Sequence, residues 1–127
     1  MYQFGNLLAK ELGDCIKMCM FFMCGMSENK YKQPKFMEVE SGDSIYYRLI
    51  EMIDEGGFNE AENTMYECLN PEEIDDCYTM LCVYDYMNEF DDEFIEKNNY
   101  SREEIRDGVE NIGRGFGMEN MNYFCAE

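Results

Sequence analysis

One stretch constrains this chain more than any other. From Ser44 to Leu69, two apolar stripes at helical spacing flank the pair Gly56-Gly57. In the first arm Ile45, Leu49, Met52 and Ile53 fall at i, i+4, i+7 and i+8. In the second, Ala61, Met65, Cys68 and Leu69 repeat that pattern. Between them, Glu55-Gly56-Gly57-Phe58 supplies residues free to adopt positive φ, which closes one helix and turns the chain back. Two stripes and a tight turn predict an antiparallel helical hairpin.

Helix dominates elsewhere too. Only two prolines occur, Pro34 and Pro71, and β-branched runs are scarce. Residues 4–24 carry a stripe of Phe4, Leu8, Leu12, Cys15, Cys19 and Phe22, with Leu7 beside it and Lys10, Asp14 and Lys17 opposite. The end of this segment, Met18 to Met26, is apolar all round. It is too short to span a bilayer, and acids precede it, which disfavours a signal peptide. Two readings of Met18, Phe21 and Phe22 stay open: a helix end packed in the core, or an adaptable interface to a partner or a second copy.

Further on, Asn70-Pro71-Glu72-Glu73 reads as an N-cap with proline at the first helical position. The helix after it bears two stripes: Ile74, Cys77, Tyr78, Leu81 and Cys82, and Met80, Val83, Tyr84 and Met87. A helix apolar on two faces is packed on both, so this is the most buried element expected. Phe94 and Ile95 suggest one short turn more. Ser101-Arg102-Glu103-Glu104 is a capping box, with Tyr100 and Ile105 as its staple; Ile105, Val109, Ile112 and Phe116 form the last stripe. Gly113, Gly115 and Gly117 are expected to end that helix. The expectation is one all-α domain, 1–127: an N-terminal amphipathic helix (1–26), a polar linker (27–43) and an array of two antiparallel helical hairpins (44–127).

Charge limits the partners. The net charge is −18, and residues 36–127 hold 25 acids against five bases, whereas residues 1–35 hold three against five. Such a body repels phosphate backbones, so no nucleic-acid partner is expected, and a basic protein or peptide, or the chain's own basic segment, is the electrostatically fitting partner. Catalytic groups are scarce. There is no His, hence no imidazole base, triad or zinc ligand. Seven cysteines include no Cys-x-x-Cys pair; Cys15, Cys19, Cys68, Cys77 and Cys82 lie on apolar stripes and read as reduced, buried thiols of a cytoplasmic protein. Adjacent acids such as Asp75-Asp76 and Asp91-Asp92 lack the alternation of a calcium loop, so no metal or other cofactor is expected.

The segment Gly56-Gly57-Phe58-x-x-Ala61-x-x-x-Met65-x-x-Cys68-Leu69 resembles the second half of a tetratricopeptide repeat, and Tyr100-Ser101-Arg102-Glu103 opens a similar helix 42 residues after Phe58. Ile45 stands where that family prefers Trp, and Glu103 where it prefers a small residue. Across residues 44–113, Tyr47-Arg48-Leu49, Asp54-Glu55-Gly56, Asn59-Glu60-Ala61-Glu62-Asn63 and Asn98 to Ile105 resemble a family of small acidic bacterial proteins of unknown function. The resemblances imply a helical-repeat fold and no assigned activity. The leading expectation is a non-enzymatic interaction module whose first arm presents Tyr46, Ile50 and Asp54 to a protein or peptide. A homodimer assembled through the N-terminal helix is the first alternative, and an acid-based hydrolase the second.

Overall fold

The computed structural model describes the backbone of residues 2–24 and 45–115, and the side chains of residues 9–20 and 45–114. The polar linker, the tail and the side chains of Phe4, Leu7, Leu8, Phe21, Phe22 and Phe116 lie outside the described residues. Among those described, all regular structure is helical: α1 (Tyr2–Cys24), α2 (Ile45–Asp54), α3 (Phe58–Cys68), α4 (Ile74–Met87), α5 (Asp92–Lys97) and α6 (Arg102–Gly115).

The molecule is built around α4. It packs against α1, α2 and α6, while α2 also packs on α3 and α1 on α6. Cys77, Met80, Leu81, Val83, Tyr84 and Met87 are fully buried and share one broad face, which buried Thr79 and Cys82 extend over most of the helix circumference. That agrees with the double stripe of the sequence. Each such large side chain contributes about 1.5–3 kcal/mol by leaving water. Ile74, by contrast, is exposed at the first turn.

Two turns set the outer helices. At the end of α2, Gly57 N–H donates to the Met52 carbonyl (2.8 Å) and Gly56 N–H to that of Ile53 (2.9 Å). This is a Schellman closure with Gly56 in the left-handed region (φ 92°). Gly57 does not share that conformation; its φ is −88°, and it is glycine because a Cβ there would lie 3.2 Å from the Met52 carbonyl. The end of α5 repeats the closure: Tyr100 N–H donates to the Ile95 carbonyl and Asn99 N–H to that of Glu96, with Asn99 at φ 63°. Asn tolerates this region better than most residues. The two turns then dock on one another. Asn59 Nδ2 donates to the Asn99 carbonyl (2.9 Å), the Asn98 side chain fills the space a Cβ on Gly56 would need, and Phe58 stacks on Tyr100 with centroids 5.4 Å apart.

Helix starts differ in how well the sequence announced them. Glu104 N–H donates to Ser101 Oγ (3.2 Å), and Tyr100 and Ile105 are both buried, as the capping box and staple predict. Asn70 is a correction. It does not cap α4, which begins at Ile74 with Glu73 at its N-cap. Asn70 Oδ1 instead accepts from Glu72 N–H (3.0 Å) and its carbonyl from Glu73 N–H, so a local turn closes before the helix can begin. At the other end of the chain, Gly113 lies inside α6 rather than after it.

The cysteines depart from expectation twice. Cys19, Cys77 and Cys82 are buried thiols, but Cys68 is exposed at the end of α3, where the helix has run past the core. Cys15 is disulfide-bonded, not a reduced thiol.

Arg102 ties the C-terminal part together. Its guanidinium donates to the Asn88 carbonyl (2.6 Å), Asn88 Oδ1 (2.7 Å), the Phe90 carbonyl (2.8 Å) and Asp92 Oδ1 (2.8 Å). Asn88 Nδ2 in turn donates to the Ala9 carbonyl of α1 (2.8 Å), so one cation joins α6, the α4–α5 connection and α1. Lysine cannot reproduce this planar fork. Arg102→Lys is expected to cost about 2 kcal/mol, read as a lower urea midpoint with unchanged slope.

Asp85, half-buried on α4, behaves in the opposite sense. Burial pushes its carboxyl above the ordinary 3.8, an effect that Lys17 on α1 opposes and Glu89 reinforces. The folded chain therefore holds this proton to a higher pH than the unfolded chain, and stability falls as pH rises through the carboxylate range. Asp85→Asn should melt higher than the native chain at neutral pH, on the order of 2 °C, with the gap closing once acid protonates Asp85.

Candidate functional site

Hydroxyls and carboxylates inside a helical core need partners, and one group of them converges where α3, α4 and α6 meet. Glu62 and Tyr66 stand four residues apart on α3, hence on one face. Tyr84 reaches them from α4: its Oη donates to Glu62 Oε2 at 2.6 Å and shares a hydrogen bond with Tyr66 Oη at 3.2 Å. Tyr100, just before α6, brings a third phenol. Its Oη is buried beside Glu62, close enough for the carboxylate to act on it, yet makes no hydrogen bond of normal geometry.

The sequence folds this way because α6 has a glycine at the crossing. Gly108 lies in mid-helix, and a Cβ there would collide with Tyr84 Cζ and Oη. Its absence lets the Tyr84 ring lie against the α6 backbone while its hydroxyl passes to Glu62. Tyr84 is fully buried, Tyr100 is 2% exposed, and Tyr66, at 39%, is the outer ring of the group.

All three phenols are held above their ordinary pKa. For Tyr84 the first cause is burial, followed by the charges of Tyr66 and Glu62. Burial also leads for Tyr100, ahead of Glu62. Burial raises Tyr66, a hydrogen bond with Tyr84 lowers it, and the Glu62 charge raises it again. Neutral phenols are the result, and they act here as hydrogen-bonding groups. Among the described residues, no group of three or more Cys, Asp or Glu side chains is placed to hold a metal ion.

The residues singled out from the sequence are not brought together here. Tyr46 was expected to point outward and is instead buried, edge-on to Tyr47, on the same α2 face as Leu49 and Ile53. α2 is covered by both α3 and α4, so its buried face is wider than the stripe read for one neighbour. Ile50 is half-buried against the core. Asp54 alone is exposed, and it accepts a 2.6 Å bond from Tyr86 Oη, a bond that pushes the Tyr86 phenol up to about 12. On α1, Met18 is exposed at 41%, while Phe21 and Phe22 fall outside the described side chains. The Tyr–Glu62 group carried two sequence signals: Glu62 and Tyr66 at i, i+4, and a mid-helix glycine with no capping role.

The comparisons with known proteins bear on this fold as a whole. A family model matches residues 5–117, nearly the entire chain. The chain belongs to DUF6483, a family of unknown function. No curated protein and no solved structure matches it. Membership in DUF6483 thus agrees with the resemblance to an unknown-function family and assigns no reaction. Among the described residues, no helix is long and apolar enough to cross a membrane.

Gly108 offers the sharpest check on the geometry. Alanine gains about 1 kcal/mol of helix propensity over glycine, but overpacking a filled crossing costs about 1–3 kcal/mol and displaces Tyr84 from Glu62. Gly108→Ala is therefore expected to lower the thermal midpoint.

Proposed function

We propose that this DUF6483 chain is a non-enzymatic helical module that binds a basic protein or peptide. The observation that carries this reading is uncompensated charge. Residues 36–127 hold 25 acids, yet among the described residues of that stretch only two ion pairs form, Arg102–Asp92 and Arg106–Glu110. The second is an i, i+4 pair within α6, so it leaves the surface between helices negative. A surface like this steers and selects cationic partners and rejects nucleic acid.

The α2–α3 pair is the tetratricopeptide-like part of the module. Its support is the short Gly56-Gly57 turn, the burial of Phe58 and the fully buried Ala61, whose small side chain suits close helix approach. A cytoplasmic location follows from the sequence reading alone, and the disulfide at Cys15 weighs against a reducing compartment. Association of two chains through α1 is the second reading, favoured by the exposure of Met18. No geometry described above favours the acid-based hydrolase alternative.

Fluorescence anisotropy with basic, neutral and acidic peptide pools tests the main reading. Basic peptides are expected to bind with Kd on the order of micromolar at low ionic strength and to weaken steeply as salt rises. Equal affinity for acidic and basic pools would remove it.

A further inference from the structure

Three half-buried rings line the passage from α4 into α5. Tyr86 meets Phe90 edge-on with centroids 5.5 Å apart, and Phe90 stacks on Phe94 at 5.0 Å. Fully buried Phe58 touches Phe90 and Phe94 from beneath (5.7 and 5.9 Å), so the core covers only part of each ring. The Phe94 end of this run already holds a cation, for Lys97 Nζ stands 5.8 Å from the ring centroid. The Tyr86 end is bounded instead by two exposed carboxylates, Asp54 of α2 and Glu89 just past α4. Asp54 Oδ1 accepts the 2.6 Å bond from Tyr86 Oη, and the Glu89 charge acts on the same phenol. Neither acid joins an ion pair among the described residues.

We propose that Tyr86, Phe90, Asp54 and Glu89 seat an arginine side chain presented by the basic partner. This rests on the reading under Proposed function and gives it a location. Aromatic surface edged by uncompensated anions calls for a cation with a flat, weakly hydrated body, and guanidinium is that group. Its plane lies over a ring while its edge donates to carboxylates in a fork. Asp54 keeps Oδ2 for these donors and Glu89 both side-chain oxygens, and all three face water. Tyr86 fixes Asp54 through Oδ1 alone, so it orients this carboxylate without closing it. Lysine's ammonium is a compact, strongly hydrated charge with no plane to stack, so it sits less well here. An exposed ion pair by itself contributes little; the rings make this seat more than one.

Titration calorimetry of the full chain with a short acetylated peptide of alternating arginine and glycine tests the seat. Asp54→Asn with Glu89→Gln should weaken binding about tenfold, the scale of one charge-assisted contact. Both side chains are exposed and both replacements keep an acceptor, so the fold is retained. Glu67→Gln with Glu72→Gln removes the same charge elsewhere on the surface and should cost no more than about twofold. The matching lysine–glycine peptide should bind the native chain about threefold more weakly than the arginine one. Proton NMR of the native complex supplies a readout that needs no variant: ring current should move the arginine δ-methylene signal upfield. Equal losses in the two double variants, or an unmoved δ-methylene signal, overturns the seat while leaving a diffuse acidic surface intact. Lysine binding as tightly as arginine overturns the choice of side chain. A native chain that binds neither peptide defeats the broader reading instead.

Discussion

A helix buried over most of its circumference has to be enclosed, and that requirement on α4 organises this protein. Its buried side chains span more than one packing partner could cover, so a single neighbour would strand some of them in water. Three neighbours, α1, α2 and α6, supply the walls. Two of them come from far along the chain on either side, which makes the N-terminal helix part of the core and not an appendage. Ile16, Cys19 and Met20 of α1 are buried accordingly.

Enclosure also explains how a core residue comes to serve the surface. Tyr84 belongs to the apolar girdle of α4 by its ring, yet its hydroxyl emerges at Glu62. Only a crossing without a Cβ permits both, and Gly108 provides it. The acidic rim and the packed interior therefore meet at one phenol. Changes in helix packing at α6 are transmitted to the carboxylate through a single rigid ring, not through a flexible loop.

Much of this was legible before any coordinates. Period and punctuation located the helices, because Gly56 and Ser101 act on their own neighbours in sequence, whereas Pro71 falls in a turn before α4 and not at its first position. The all-round apolar character of α4 announced its central place. What failed were inferences that depend on which helices meet. Tyr46 looked outward because one stripe was assigned to one neighbour, whereas α2 has two. Asn70 has the composition of a cap, but its side chain found a nearer N–H at Glu72. Cys68 sits in phase with a buried stripe and lies beyond the reach of the core. The Tyr–Glu62 group went unread for the same reason: its members come from three elements, and no local spacing joins Glu62 to Tyr84 or Tyr100.

The docking of the two helix turns bears on how the molecule comes apart. In a solenoid each unit touches only the next, so a terminal unit frays while the others persist. Here Gly56, Phe58 and Asn59 are completed by Asn98, Tyr100 and Asn99, some forty positions downstream. Neither turn owns all of its own contacts, and cutting the chain between them would leave each half with an open seam. Divisible as it looks on paper, the body from α2 to α6 behaves as a single cooperative block, lost or kept entire.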